Sequence, residues 1–350
     1  MRRGSQSEPI SFHRIVNAGD LSTSKASGRD GYIRCVSPLT ACLYHFHHCK
    51  AQFRNEMASA KITVIGSLLV EHIFFIGRLP DIGESFPAND YLKGPGGKGA
   101  NAAIATYRAC HNNPRLLDLS QEPGEIDISV HMVGVVGNDG DGKYMMEPLL
   151  ENKIDVSAVR TNDKMPTGMA FIMVQEIDDT RDNRLIYTVG ANDSVSAADF
   201  ATVEGLGGGA LPDLIISQLE LNLKAVEKML ETAGNAGIKV LLNAAPANTV
   251  LPELYRHVTH LVVNETEAAI LSGYDLERVN KSTWKDISDS FLYDGVENVV
   301  ITLGVAGAYY ANKDVSGHVK AFTVDLVDPT GAGYGILALV GSFIALTDNS

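Results

Sequence analysis

"DLIISQLE", Asp213–Glu220, is a short apolar run that ends in a carboxylate. Three stretches of the same build follow it: "IKVLLNAAP" at Ile238–Pro246, "THLVVNETEA" at Thr259–Ala268 and "NVVITLG" at Asn298–Gly304. Each apolar core is too short for a buried helix, and each leads through a loop into a helical stretch. Such runs, apolar on both faces and separated by helices, are strands of a covered parallel sheet. Upstream, "KITVIGSLLV" (Lys61–Val70) reads as a buried strand ending at Gly66, and "ANAAIATYRA" (Ala100–Ala109) as a small-residue helix. "VHMVGVVG" (Val130–Gly137) reads as a strand and "GDGKYMMEPLLEN" (Gly140–Asn152) as a helix, while "MAFIMVQEI" (Met169–Ile177) and "NRLIYTVG" (Asn183–Gly190) pair as a hairpin. The polar stretch His111–Ile128 reads as a surface insertion. The pattern predicts an α/β fold with helices on both faces of the sheet. Ligands of such sheets bind at the carboxyl ends of the strands. The polar residues placed there are Glu220, Asn243, Asn264, Glu267 and Thr302.

Composition narrows the partners. The formal net charge is −13, which argues against non-specific nucleic-acid binding but leaves phosphorylated ligands open, because backbone N–H groups bind anions locally. The longest apolar run, Gly335–Leu346, is too short to span a bilayer, and no secretory signal is evident. Three of the four cysteines (Cys35, Cys42 and Cys49) fall in the first fifty residues, and Cys110 is the fourth. The remainder reads as a reduced, cytoplasmic protein.

Residues 1–56 show neither the strand nor the helix period. Cys42, His45, His48 and Cys49 lie too close for the usual paired zinc ligands. Arg2, Arg3, Arg14, Arg29 and Arg34 suit a targeting segment, while Glu8, Asp20 and Asp30 count against one. The third reading is a disordered or non-native extension, with Met57 opening the domain.

Two glycine-rich turns carry the chemistry. "GPGGKGANAA" (Gly94–Ala103) matches G-x-G-x-x-G through Gly94, Gly96 and Gly99, but it lacks the strand and βαβ context of a dinucleotide site. Its small residues let a ligand approach the backbone, and Asn101 can bond hydroxyls. "DPTGAG" (Asp328–Gly333) presents successive N–H groups at a helix start, a setting for an anion. "VVNETEA" (Val262–Ala268) clusters oxygens suited to Mg²⁺ through water, or to capping the next helix. "ITLGVAG" (Ile301–Gly307) either covers a nucleotide or turns the chain. The histidines His72, His131, His257, His260 and His318 read as packed or solvated, with no Ser-His-Asp or metal grouping among them.

In this order the pieces "VIGS", "GGKGANAA", "VGVVGNDGDG", "PTGMAFI", "SQLE", "LNAAPA", "NETEA", "ITLGVAG" and "VDPTGAG" resemble the ribokinase-like (PfkB) family of carbohydrate kinases, from about Lys61 to Gly333. The resemblance implies a three-layer α/β/α domain over 57–333 with a small β lid from about 74–94 and 169–190. It implies transfer of phosphate from ATP, with Mg²⁺ and a monovalent cation such as K⁺, to a sugar hydroxyl. Gly96, Gly97, Asn101, Glu220 and Glu71 would hold the sugar. Asn264, Thr302, Gly304 and Gly307 would lie along the nucleotide. Glu267 would serve Mg²⁺ through water, and Asp328 and Thr330 the monovalent cation. The amides of Gly331, Ala332 and Gly333 would form the anion hole. A homodimer through the lid is the implied assembly.

The chain departs from the family at three places. Leu69 and Glu71 stand where the family has Asn and Asp. Tyr334 stands at the catalytic base, and a phenol with a pKa of about 10 is a poor proton acceptor at neutral pH. The sequence from Tyr334 to Ser350 does not continue the family's C-terminal helices, so the sheet face they cover is expected to be exposed. Codons for Gly333–Gly335 can hold a splice donor, and 334–350 are therefore expected to be an aberrant tail of intron origin. The competing expectation is a non-catalytic relative that binds sugar or nucleotide as a sensor. A nicotinamide dehydrogenase built on Gly94-x-Gly96 is the third.

Overall fold

Successive residues of a strand face opposite sides of the sheet, so a doubly covered strand must be apolar at every position. The computed structural model describes residues 59–111, 127–177, 180–207, 209, 211–321 and 341. The readings that concern residues 1–56 and 328–334 lie outside these residues, as do Cys35, Cys42 and Cys49.

Among the described residues, nine strands form one sheet in the order β13-β12-β11-β10-β9-β8-β1-β4-β5. They are β1 (Ser59–Ile65), β4 (Asp127–Gly137), β5 (Asp155–Asn162), β8 (Leu214–Gln218), β9 (Lys239–Asn243), β10 (His260–Asn264), β11 (Asn298–Thr302), β12 (Ala308–Asn312) and β13 (Ser316–Val319). The strands from β5 to β11 are parallel, and β12 and β13 add an antiparallel edge. Val240 and Leu242 join the core on one face, Leu241 that on the other, and Val299, Val300 and Ile301 alternate in the same way.

Helices on the two faces of the sheet include α1 (Lys98–His111), α2 (Gly140–Glu151), α3 (Leu223–Asn235), α4 (Glu265–Ser272) and α5 (Trp284–Tyr293). Residues of α1 and α2 belong to one core, those of α3, α4 and α5 to the other. The N-terminus of α3 is capped by the Asn222 side chain, which accepts from Lys224 N. The helix buries Ala225, Val226, Met229, Leu230 and Ala233, a stripe at helical spacing. Gly237, at φ +71°, turns the chain out of it into β9.

A second sheet of four strands, β3-β2-β6-β7, is the lid. It comprises β2 (Leu69–Ile76), β3 (Asp90–Gly96), β6 (Gly168–Ile177) and β7 (Thr180–Thr188). Ring contacts link its strands: His72 stacks on Phe171 with centroids 5.1 Å apart, and Phe74 lies tilted against Tyr91 at 5.1 Å. The expected hairpin of β6 and β7 is present.

Several expectations need correction. Lid strand β2 begins at Leu69, before position 74, because the chain leaves the main sheet at Ile65 and crosses over through Gly66–Leu68. Gly94 and Gly96 are not in a turn: they end strand β3, paired with Glu71 and Leu69. The insertion is narrower than His111–Ile128, since His111 ends α1 and Asp127 opens β4. One face of the sheet is buried at Leu214, Ile216, Leu241, Val262 and Val300. Gly341, in the C-terminal stretch, is helical and packs on this face, where an added Cβ would meet Ile216 Cδ1 at 2.8 Å. No described helix is long and apolar enough to cross a membrane.

Candidate active site

From β1 the chain runs out to β4 and β5 on one side and returns to β8 on the other. Strand order therefore reverses at β1, and the crevice at such a reversal is where open α/β sheets bind ligands. Gly66–Ser67 after β1 and Leu219–Glu220 after β8 form its floor.

Glu220 is the organising carboxylate. Ser67 Oγ donates to its Oε2, Lys98 N donates to the same oxygen at 2.8 Å, and the Lys98 ammonium lies 3.7 Å from Oε1. Two glycines allow this convergence. A Cβ at Gly99 would lie 2.5 Å from the carbonyl carbon of Gly66, and one at Gly97 would lie 2.8 Å from Leu69 N and Ser67 O. Gly97 also has φ +88°, which favours glycine. The N-terminus of α1 thus lies directly on the β1–β2 crossover, held by Ala100 N donating to Ser67 O at 3.1 Å. Asn192 fixes the crossover from the other side: Leu68 N donates to its Oδ1 at 2.9 Å, and its Nδ2 donates to Leu68 O at 2.9 Å.

Glu71 reaches into this crevice from lid strand β2, its carboxyl where a Cβ of Gly96 would be. Burial, and then the neighbouring Glu220, push its pKa up to about 7, while Lys98 pulls the other way. Asn101 lies one turn into α1, half-buried.

The second set lies further along the same carboxyl edge. Asn264 and Thr302 are register partners at the ends of β10 and β11. Asn264 and Glu267 form a capping box: Glu267 N donates to Asn264 Oδ1 at 2.8 Å, and Asn264 N donates to Glu267 Oε2 at 2.8 Å. The capping alternative for this motif is thus realised, and Glu267 Oε1 is left over. Burial raises the Glu267 pKa, with the Asn264 bonds and then Lys98 acting against it. Lys98 therefore acts electrostatically on Glu71, Glu220 and Glu267. Gly304 and Gly307, at φ +52° and +102°, turn the chain from β11 into β12, and Leu303 N donates to Gly307 O at 2.8 Å. A Cβ at Gly307 would collide with Val319 O, so the turn itself requires this glycine.

The sequence reading missed Ser67, Lys98 and Asn192. Lys98 had a signal, as the one cation inside "GPGGKGANAA". Asn192 had none, since it comes from a 3₁₀ turn 124 residues from the backbone it holds. The expected absence of a Ser-His-Asp grouping is also corrected: His131 Nε2 lies 3.2 Å from Ser129 Oγ, and its Nδ1 lies 3.0 Å from Asp155 Oδ2. The period of two puts Ser129 and His131 side by side on β4, near its amino end and away from the crevice. The described residues contain no cluster of three or more metal-binding side chains.

The pfkB family carbohydrate kinase pattern matches residues 59–344. The chain belongs to the pfkB family of carbohydrate kinases. Its relatives include the ribokinase of Schizosaccharomyces pombe, 33% identical over 288 residues, covering 81% of this chain and 85% of that protein. The ribokinase of Haemophilus influenzae is 31% identical over 272 residues, covering 78% and 81%. The deoxyribokinase of Salmonella typhi is 31% identical over 284 residues, covering 81% and 84%. In three dimensions, Arabidopsis thaliana ribokinase complexed with ribose and ATP superposes with a TM-score of 0.68 at 24% identity, covering 82% of this chain and 86% of that one. The α/β sheet with its lid is thus the ribokinase-like fold, and the match to the family extends past Tyr334.

Proposed function

We propose that this chain transfers the terminal phosphoryl group of ATP to a hydroxyl of ribose or a related pentose. The observation that carries the reading is the crevice at the strand-order reversal. There Glu220, fixed by Ser67 and Lys98, faces Glu71 of the lid, in a chain 31–33% identical to the relatives named above. Glu220, Glu71, Asn101 and the small Gly96–Gly97 segment receive the sugar. Asn264, Thr302, Gly304 and Gly307 line the nucleotide side of the same edge. Glu267 keeps one carboxylate oxygen outside its capping box, which fits contact with Mg²⁺ through water. Bound there, Mg²⁺ would neutralise phosphate charge. Asp328 and Thr330 are assigned to a monovalent cation such as K⁺, and the amides of Gly331, Ala332 and Gly333 to the transferring phosphoryl group. Phosphoryl transfer passes through a loose transition state, so most of the catalysis is positioning and charge neutralisation. The exposed Leu185, Ile186 and Tyr187 on lid edge β7 suit pairing with a second copy. A cytoplasmic location is part of the proposal.

Tyr334 favours a second reading, a family member that binds sugar and nucleotide without turnover. ADP formation from ATP, Mg²⁺ and D-ribose separates the two. Under the kinase reading the natural chain turns over slowly, and Tyr334→Asp raises kcat by about 10²–10⁴-fold. Ribose binding with no ADP from either protein would establish the binder.

A further inference from the structure

We propose that Lys93, Asp141 and Tyr144 form a strap that ties the lid to the helix layer of the main sheet, and that Lys93 is thereby a positioning residue for the sugar. The inference rests on the sugar-site reading above and adds to it the contact that holds the lid in place.

The start of α2 meets the lid at two places. The first is the root of β6. Asp139, the N-cap of α2, accepts from Thr167 N at 2.8 Å through Oδ2 and from Thr167 Oγ1 at 2.6 Å through Oδ1. Gly137 N donates to the same Thr167 Oγ1 at 2.9 Å. Gly168, the next residue, opens β6, so this end of the lid is anchored by backbone and side chain together. The second place is β3. Lys93 Nζ lies 2.6 Å from Asp141 Oδ1 and 4.6 Å from the centre of the Tyr144 ring, and Tyr144 OH donates to Lys93 O at 3.0 Å. The ion pair is partly buried, which spares it part of the screening an exposed pair meets.

The place of Lys93 in the strand gives the strap its consequence. Lys93 pairs with His72, and the next residue, Gly94, pairs with Glu71. Successive strand residues face opposite sides, so the lid turns Glu71 to the crevice on one face and Lys93 to α2 on the other. The same strand runs on to Gly96 and Gly97, the segment proposed to receive the sugar. With the strap cut, the lid keeps its roots at Thr167 and at the Gly66–Leu68 crossover and loses its hold along β3. Apparent affinity falls with the fraction of molecules whose site is in the binding position. A looser lid therefore weakens sugar binding. The proposed nucleotide side, at the ends of β10 and β11, is left as it was.

The test is a double-mutant cycle in the full chain with Lys93→Met, Asp141→Asn and the two combined. Each protein is titrated calorimetrically with D-ribose and with 2-deoxy-D-ribose, and separately with Mg²⁺ and a non-hydrolysable ATP analogue. Hydrogen–deuterium exchange of the ligand-free proteins is followed in parallel. Each single change should weaken ribose binding by about three- to tenfold, and the combined change no further, because both remove one contact. Affinity for the ATP analogue should stay within about twofold, since the strap touches only the lid. Exchange in β2 and β3 should quicken in all three variants, with β8 and β9 unchanged. D-ribose carries no charge, so added salt should weaken its binding to the natural chain more than to Lys93→Met. Additive losses, an equal loss of analogue affinity, or lid exchange like that of the natural chain would each overturn the inference. If neither sugar binds the natural chain, the sugar-site reading fails and the positioning role with it, while the exchange data still decide whether the strap holds the lid.

Discussion

Gly99 and Gly140 both stand at helix starts, and the structure predicts opposite consequences for replacing them with alanine. In an unconstrained helix the change gains up to about 1 kcal/mol. At Gly140, the first residue of α2, an added Cβ meets nothing within 4 Å, and that gain should be realised. At Gly99 the Cβ would lie 2.5 Å from Gly66 C and 2.7 Å from both Ser67 N and Ser67 O, and all three are backbone atoms. The crossover has little freedom to retreat. It is held by Ser67 Oγ to Glu220, by Ala100 N to Ser67 O, and by Asn192 to both polar atoms of the Leu68 backbone. Overpacking of this kind costs about 1–3 kcal/mol, and each hydrogen bond given up to relieve it about 0.5–1.5 kcal/mol more. Gly99→Ala should therefore destabilise by about 2–4 kcal/mol after the helix gain is subtracted. Urea unfolding followed by circular dichroism reads this directly: with a slope of about 3 kcal/mol/M, the midpoint falls by roughly 1 M for Gly99→Ala. It stays level or rises for Gly140→Ala. The close-approach argument would be refuted if the Gly99→Ala midpoint matched that of Gly140→Ala.

Glu71 makes stability depend on pH. Its folded pKa of about 7 is above the ordinary carboxyl value, so the folded state holds the proton more tightly. Stability is therefore fully present below about pH 4 and is lost as pH rises through 7, by up to about 3 kcal/mol. Glu71→Gln should remove this loss, raising stability at pH 8 but not at pH 4 in parallel urea titrations. At the β11–β12 turn, Gly307→Ala meets both a positive φ and the Val319 carbonyl, so it should cost at least about 3 kcal/mol by thermal or urea unfolding. Gly304→Asn, with nothing within 4 Å of the new Cβ, should stay within about 1 kcal/mol of the natural chain.

The main sheet was legible because burial on both faces leaves a continuous apolar run, and β8, β9, β10 and β11 each carry one. The lid was less so. β2 has the sequence "LVEHIFFI", whose burial changes along its length, and β3 has "DYLKGPG", which ends in the glycines of the motif. Neither alternates cleanly, so the β3 glycines read as a turn and the lid was placed only from about position 74, five residues past the start of β2. For the site, residue type at a strand end placed Glu220, Asn264 and Thr302 on one edge, as local pattern can. It could not show that Asn192 fixes Leu68, or that Lys98 serves three carboxyls, because those contacts depend on how the lid and α1 come back over β1.

The same geometry separates binding from turnover. Ser67, Glu71, Gly96, Gly97, Lys98, Asn192 and Glu220 all precede position 221, and the contacts given above for them join described residues. On the proposed roles, a change at position 334 alters the residue that takes the proton and leaves the sequence of the clamp as it is. Tyr334→Asp should raise kcat while leaving the dissociation constant for D-ribose within about threefold, since a base acts on the transition state and not on ground-state binding. Equilibrium binding and single-turnover ADP formation, measured on the same preparations, give the two quantities independently. A large change in ribose affinity would show that position 334 helps shape the sugar site, and that the clamp does not work alone.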